Sequence, residues 1–278
     1  MSTKWYIYST APSFSPSTHQ GSWNVDASGD SDRFMSFSPT RTGVAISTKS
    51  RQKTSASVQT LLGCIAVSEP LAAQTLSLWS LDGVLRVGES ATSMDAFMQF
   101  HIYITQGDTN SVRGTLLNNY THISEMSTAN QGKSFGIPDI SGLSINEGDR
   151  LVIEFGAKSN SLINSQITTL AYGGTSTSND LTSGSASTVN PGYVIVSQTL
   201  KYYKKKELTA SGFVFVPTTV TGTGVVQSET TKEATSTGIV QSANTKEITG
   251  TALVAETIAK TFDTDGRVVN QHTSDFTA

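Results

Sequence analysis

Apolar and polar positions alternate with a period of two through most of the first 200 residues, in short runs cut by turn-forming residues. KWYIY (Lys4–Tyr8), SVQTLLGCIAV (Ser57–Val67), AFMQFHIYIT (Ala96–Thr105), VRGTLL (Val112–Leu117) and GYVIVSQTL (Gly192–Leu200) each read as strands. QTLSLWSLDGVLRVG (Gln74–Gly88) alternates too. Leu76, Leu78 and Val87 fall on one side, and Asp82-Gly83 offers a hairpin turn or bulge. INEGDRLVIEFGA (Ile145–Ala157) places a turn at Glu147-Gly148-Asp149 before a half-buried strand. No stretch carries the 3.6-residue period of a helix. The pattern predicts an all-β chain whose first 200 residues form an antiparallel, jelly-roll-like β-sandwich. YGGTSTSNDLTSGSASTVNPG (Tyr172–Gly192) consists almost wholly of turn formers, which predicts a long exposed loop able to contact a partner.

KYYKKKELTASG (Lys201–Gly212) breaks the pattern, and residues 201–210 read as a linker. Residues 211–278 then repeat themselves. Gly224, Gly238 and Ala252 hold one position at a spacing of fourteen residues. The apolar pairs Val225-Val226, Ile239-Val240 and Leu253-Val254 follow them. SGFVFV (Ser211–Val216) reads as a degenerate earlier copy, with Gly212 twelve residues before Gly224, and SETT and SANT read as turns. Repeats this short have too few large apolar residues to cover their own face, so their strands need partners. Those partners can be one another, the sandwich, or the same segment of other subunits; a meandering sheet packed on symmetry mates and an intertwined trimeric shaft both satisfy this. Both are assembly devices, and the six apolar residues are the candidate contacts. DTDGRVVNQHTSDFTA (Asp263–Ala278) reads as a polar hairpin-like tail turning at Asp265-Gly266.

Composition narrows the chemistry. The chain has 278 residues, of which 15% are charged, with a formal net charge of −3. That balance lacks the basic face a nucleic acid requires. Cys64 is the single cysteine, so no intrachain disulfide or thiolate cluster can form, and its apolar setting predicts a buried thiol. No segment has the length and apolarity of a membrane span or the layout of a secretion signal. Soluble assembly in a cytoplasm is the expectation. His19, His101, His122 and His272 have no ligand-spaced neighbours, and His101 reads as a satisfied residue of an apolar strand. No nucleophile elbow, phosphate loop or dinucleotide fingerprint occurs. The reading is therefore non-enzymatic, with no catalytic residue, cofactor or metal site. Trp79 reads as core. Trp23, among polar turn residues, reads first as a plug over the edge of the core and second, with Tyr172 at the start of the long loop, as a candidate for surface contact, including stacking on a host cell-surface glycan.

PLAAQT (Pro70–Thr75), the Glu89-Ser90 pair, VRGTLL, GDRLVIEFG (Gly148–Gly156) and the opening YIYSTAPSFSPSTHQGSW resemble a family of structural proteins of tailed bacteriophages. The resemblance covers residues 5 to 200 and not the repeats. It implies a β-sandwich virion component assembled in the bacterial host, with other virion proteins as partners and no catalytic residues. A tail or baseplate fibre-like protein, a homotrimer built through its repeats, is the first reading. A capsid decoration protein is the alternative, and a carbohydrate-binding module is a third.

Overall fold

The computed structural model describes residues 2–8, 10–24, 28–29, 34–41 and 43–203, and, as backbone, the strand residues between 209 and 256. Contacts divide the chain into two compact units, Met1–Tyr203 and Lys204–Ala278. The described residues hold strands, one 3₁₀ turn at Thr92–Met94 and no α-helix.

The first unit contains β1 (Thr3–Tyr8), β2 (Ser28–Gly29), β3 (Phe34–Ser38), β4 (Ser47–Gln52), β5 (Gln59–Val67), β6 (Gln74–Leu76) and β7 (Trp79–Glu89). After the 3₁₀ turn follow β8 (Ala96–Thr105), β9 (Val112–Glu125), β10 (Gln131–Ile140), β11 (Leu143–Ile145), β12 (Arg150–Ser159), β13 (Ile167–Tyr172) and β14 (Tyr193–Val196). Twelve of them make one sheet in the order β2-β4-β13-β7-β14-β1-β3-β5-β12-β8-β9, with β10 on the other edge of β7. β6 and β11 form a separate pair. The sheet is mixed rather than purely antiparallel, because β3 runs parallel to β5 (Phe34↔Ile65). Phe100 of β8 lies 4.8 Å from Phe135 of β10, although those strands are far apart in the sheet order, so the sheet folds back over its own inner face. The core between the two halves includes Trp5 stacked on Phe37 at 4.6 Å, with Phe100 edge-on to Phe155 at 5.7 Å.

β5, β8 and β12 are apolar almost throughout because both of their faces are covered. Their inner face joins the core. Their outer face lies under the segment Thr10–Asn24, with Trp23, Leu62, Ile65, Val67, Tyr103 and Val152 forming a second cluster. Cys64 is fully buried. Trp79 is also in the core.

Two expectations along Gln74–Gly88 need correction. Leu76 and Val87 are buried, but Leu78 is 64% exposed, because Ser77-Leu78 separates β6 from β7 and the alternation does not run through the break. Asp82-Gly83 is no turn. It lies inside β7, paired with β14 on one side and β10 on the other. Gly83 is required there because a Cβ would run into the carbonyl oxygen of Tyr193 and the ring of Phe135. Gly148, in the expected turn before β12, has φ +88°.

The second unit contains β15 (Thr209–Phe215), β16 (Val220–Ser228), β17 (Thr231–Ser242), β18 (Thr245–Thr249) and β19 (Leu253–Glu256). Among the described residues, all its pairings are parallel. The polar tail Asp263–Ala278, residues 204–208 of the linker and Ala252 lie outside the described residues.

Candidate functional site

The repeats pair position for position. Gly224 lies opposite Gly238, Val225 opposite Ile239 and Val226 opposite Val240. Ile239 then lies opposite Leu253, and Val240 opposite Val254. β15 joins at the shorter offset of twelve, with Gly212 opposite Gly224. An antiparallel meander is thereby overturned, since it would pair each position with its mirror image. A straight twelve-residue β17 would span about 40 Å. Yet Thr231 and Thr245, fourteen residues apart, are direct neighbours. The chain must therefore travel round a closed coil and advance one strand spacing, about 4.8 Å, per repeat.

This register has a consequence for association. Adjacent residues of a strand lie on opposite faces. Phe213, Val225, Ile239 and Leu253 therefore form a column on one face of the ladder, and Val214, Val226, Val240 and Val254 a column on the other.

In the first unit, neither aromatic proposed for surface contact is available. Trp23 is 7% exposed and Tyr172 is 3% exposed. Trp23 packs against Gly156, where a Cβ would come within 2.5 Å of its ring. Tyr172 ends β13 and its ring belongs to the core. The long loop after it is exposed over much of its length, as expected, but is pinned at its middle: Leu181 is fully buried, and Asp180 accepts from Tyr6 Oη at 2.9 Å and Arg41 Nε at 2.7 Å and pairs with Lys4. Burial raises the Asp180 pKa, but those three donors outweigh it and hold the carboxylate below its usual range.

The most concentrated polar chemistry is buried and was missed by the sequence reading. Glu154 of β12 is fully buried. Its carboxylate accepts from Gln20 N at 2.6 Å, Gly21 N at 2.8 Å and Trp23 Nε1 at 2.5 Å. It thereby ties the Thr10–Asn24 segment to the sheet. His101 lies across from it on β8, and Tyr103 is two residues further along the same face. No well-formed hydrogen bond reaches either ring nitrogen of His101 or the Tyr103 hydroxyl, although Asn118 lies beside His101 and Glu154 beside Tyr103. Burial depresses the His101 pKa, opposed by nearby Glu154. The available signal was the lone acid inside the apolar run LVIEF, since a carboxylate at such a position needs donors from elsewhere.

A second buried acid, Glu89 at the end of β7, accepts from Ala96 N at 3.0 Å. Burial raises its pKa to about 7, with Glu125 and Asp95 adding to the rise and the Ala96 bond opposing it. A carboxyl whose folded pKa exceeds its unfolded one binds its proton more tightly in the folded state, so stability falls as pH rises from about 4.5 to 7. The penalty above pH 7 is about 3 kcal/mol. Glu89→Gln should therefore raise the melting temperature at pH 8 by several degrees and leave it unchanged near pH 4.5, read by thermal denaturation at the two pH values.

Among the described residues, no three His, Cys, Asp or Glu side chains come together in a way that could hold a metal ion. No protein-family model matches the chain, and no curated protein matches it. In a comparison with solved structures, 56% of the chain aligns with 38% of a chain in the structure of infectious bursal disease virus Gx strain, at 11% identity and a TM-score of 0.23. In the Gt strain structure, 54% of the chain aligns with 38% of that chain, at 12% identity and a TM-score of 0.18. The alignment thus spans well under half of those viral chains, and likeness at this level carries no argument about what the protein does.

Proposed function

We propose that the chain is a non-enzymatic structural component of a tailed-bacteriophage particle, a tail or baseplate fibre-like protein that assembles through its C-terminal repeats and presents the first unit outward. The observation that carries this reading is the parallel register of the repeats, which stacks four apolar residues in each of two columns, one on either face of the ladder. A closed homotrimer buries the same column of each subunit against its mates and leaves no copy uncovered. The phage-like motifs of residues 5 to 200 supply the particle, and the fold-back of the large sheet supports a jelly-roll-like description of that region. Residues 201–210 then serve as the link to the assembly region 211–278. Burial of Trp23 and Tyr172 weighs against a glycan platform built on either ring. Imaging of intact particles with a label fused to this chain tests the proposal. Density at the tail or baseplate is the expected result. Density distributed over the head favours the decoration alternative, and absence from the particle rejects both.

A further inference from the structure

Arg86 is a buried cation without an anion. It sits in the middle of β7, 5% exposed, flanked by Gly132 of β10 and Ala171 of β13. Its Nη2 has no hydrogen-bond partner, and it takes part in none of the ion pairs among the described residues. Burial lowers its pKa, and no neighbouring charge offsets the fall.

The face that Arg86 occupies follows from the register. Leu81, Leu85 and Val87 of β7 point into the core, so Arg86 points to the outer face. Gly132 lies directly opposite it, and a Cβ on Gly132 would meet Leu181 and the carbonyl oxygen of Thr182. The outer face at Arg86 is therefore roofed by residues 181–185. That roof is held by Gly184 N donating to Gly132 O at 2.7 Å, Gly132 N donating to Ser185 O at 2.8 Å, and Ser134 Oγ meeting Ser183 Oγ at 3.2 Å. The roof is rich in hydroxyls, from Thr182, Ser183, Ser185 and Ser187. The acid that precedes it, Asp180, is already engaged by Lys4, Arg41 and Tyr6.

We propose that Arg86 is the seat of an oxyanion, a carboxylate or a phosphate group, bound beneath the serine- and threonine-rich roof of residues 181–187. A guanidinium presents a planar fork of donors that matches either group in a bidentate way. Hydroxyls and main-chain amides of the roof complete its coordination. Sealing this charge away with no partner is costly to the empty protein, and an incoming anion removes that cost. Beyond the buried Leu181 the roof is exposed, irregular and held to the sheet by few hydrogen bonds, so residues 182–185 can part while Leu181 stays seated.

The test uses the full chain in chloride buffer at fixed ionic strength, with inorganic phosphate or glucuronate added as the probe. For the natural chain, at least one probe should raise the melting temperature by several degrees in a saturable way. A shift with phosphate alone identifies a phosphate source, a shift with glucuronate alone an acidic sugar, and both together the shared oxyanion chemistry. Arg86→Met should abolish the shift while melting no lower than the natural chain in chloride, because it removes a buried unpaired charge. Arg86→Lys should keep the charge but weaken binding at least tenfold, for want of the fork. The proposal is overturned if neither probe shifts the natural chain. It is equally overturned if Arg86→Met responds like the natural chain, or if it melts several degrees lower in chloride, which would make Arg86 a structural residue.

Discussion

Two triple substitutions, Val225, Ile239 and Leu253 to Asp in one chain and Val226, Val240 and Val254 to Asp in another, should both abolish self-association, by different routes. The parallel register stacks each trio at the spacing of neighbouring strands, about 4.8 Å, whichever face it occupies. Three carboxylates in such a column repel one another. In a column turned into the coil they would also be buried, at several kcal/mol each, and the coils should unravel. In a column turned outward they would stay solvated in the monomer, so the coils should persist while the proposed subunit contact is lost. Amide hydrogen exchange over residues 220–256 separates the outcomes: one variant loses protection there and the other keeps it. Retention of the assembled state by either variant would count against the two-column description.

Glu154→Ala should be the most damaging single truncation in the first unit. It leaves Gln20 N, Gly21 N and Trp23 Nε1 without their acceptor and opens a hole beneath the indole. Each abandoned buried donor costs about 1–3 kcal/mol, so a loss of about 3–5 kcal/mol is expected. For a unit of this size that is a fall of about 10 °C in melting temperature. The Thr10–Asn24 segment should detach before the sheet melts, exposing it to protease at temperatures where the natural chain resists. Glu154→Gln, which retains one acceptor oxygen, should fall between the two. Unchanged protease resistance in Glu154→Ala would show that Trp23 is held by its apolar contacts alone.

What could be read from the sequence follows the kind of burial each element has. β5, β8 and β12 were legible because burial on both faces writes a nearly unbroken apolar run. β4 (STKSRQ) was not, because its inward positions are Lys49 and Arg51, and the charges disguised a strand of the large sheet. β10 (QGKSFGIPDI) was hidden by two glycines and by Pro138, which is accommodated where the register slips between Ile137 and Ile140. Trp23 looked exposed because its sequence neighbours are polar, while the acid that anchors it lies 131 residues away. The repeat spacing of fourteen, and the offset of twelve at Gly212, reappear as strand register. The parallel sense was there to be found as well: identical residues at a constant offset lie opposite one another only in a parallel pairing. For the buried acids, charge inside an apolar run was a usable sign. Arg86 gave none, because LRV in an alternating strand reads as an ordinary outward arginine.

The proposed function rests on the repeats joining copies of this chain through one of their two apolar columns. The mass of the purified full-length protein in solution at micromolar concentration, measured by light scattering, tests it most directly. The account predicts a species of three 29.5 kDa chains, reduced to single chains by either triple aspartate substitution. A natural chain that runs as a 29.5 kDa monomer, with its mass unchanged by those substitutions, would contradict it.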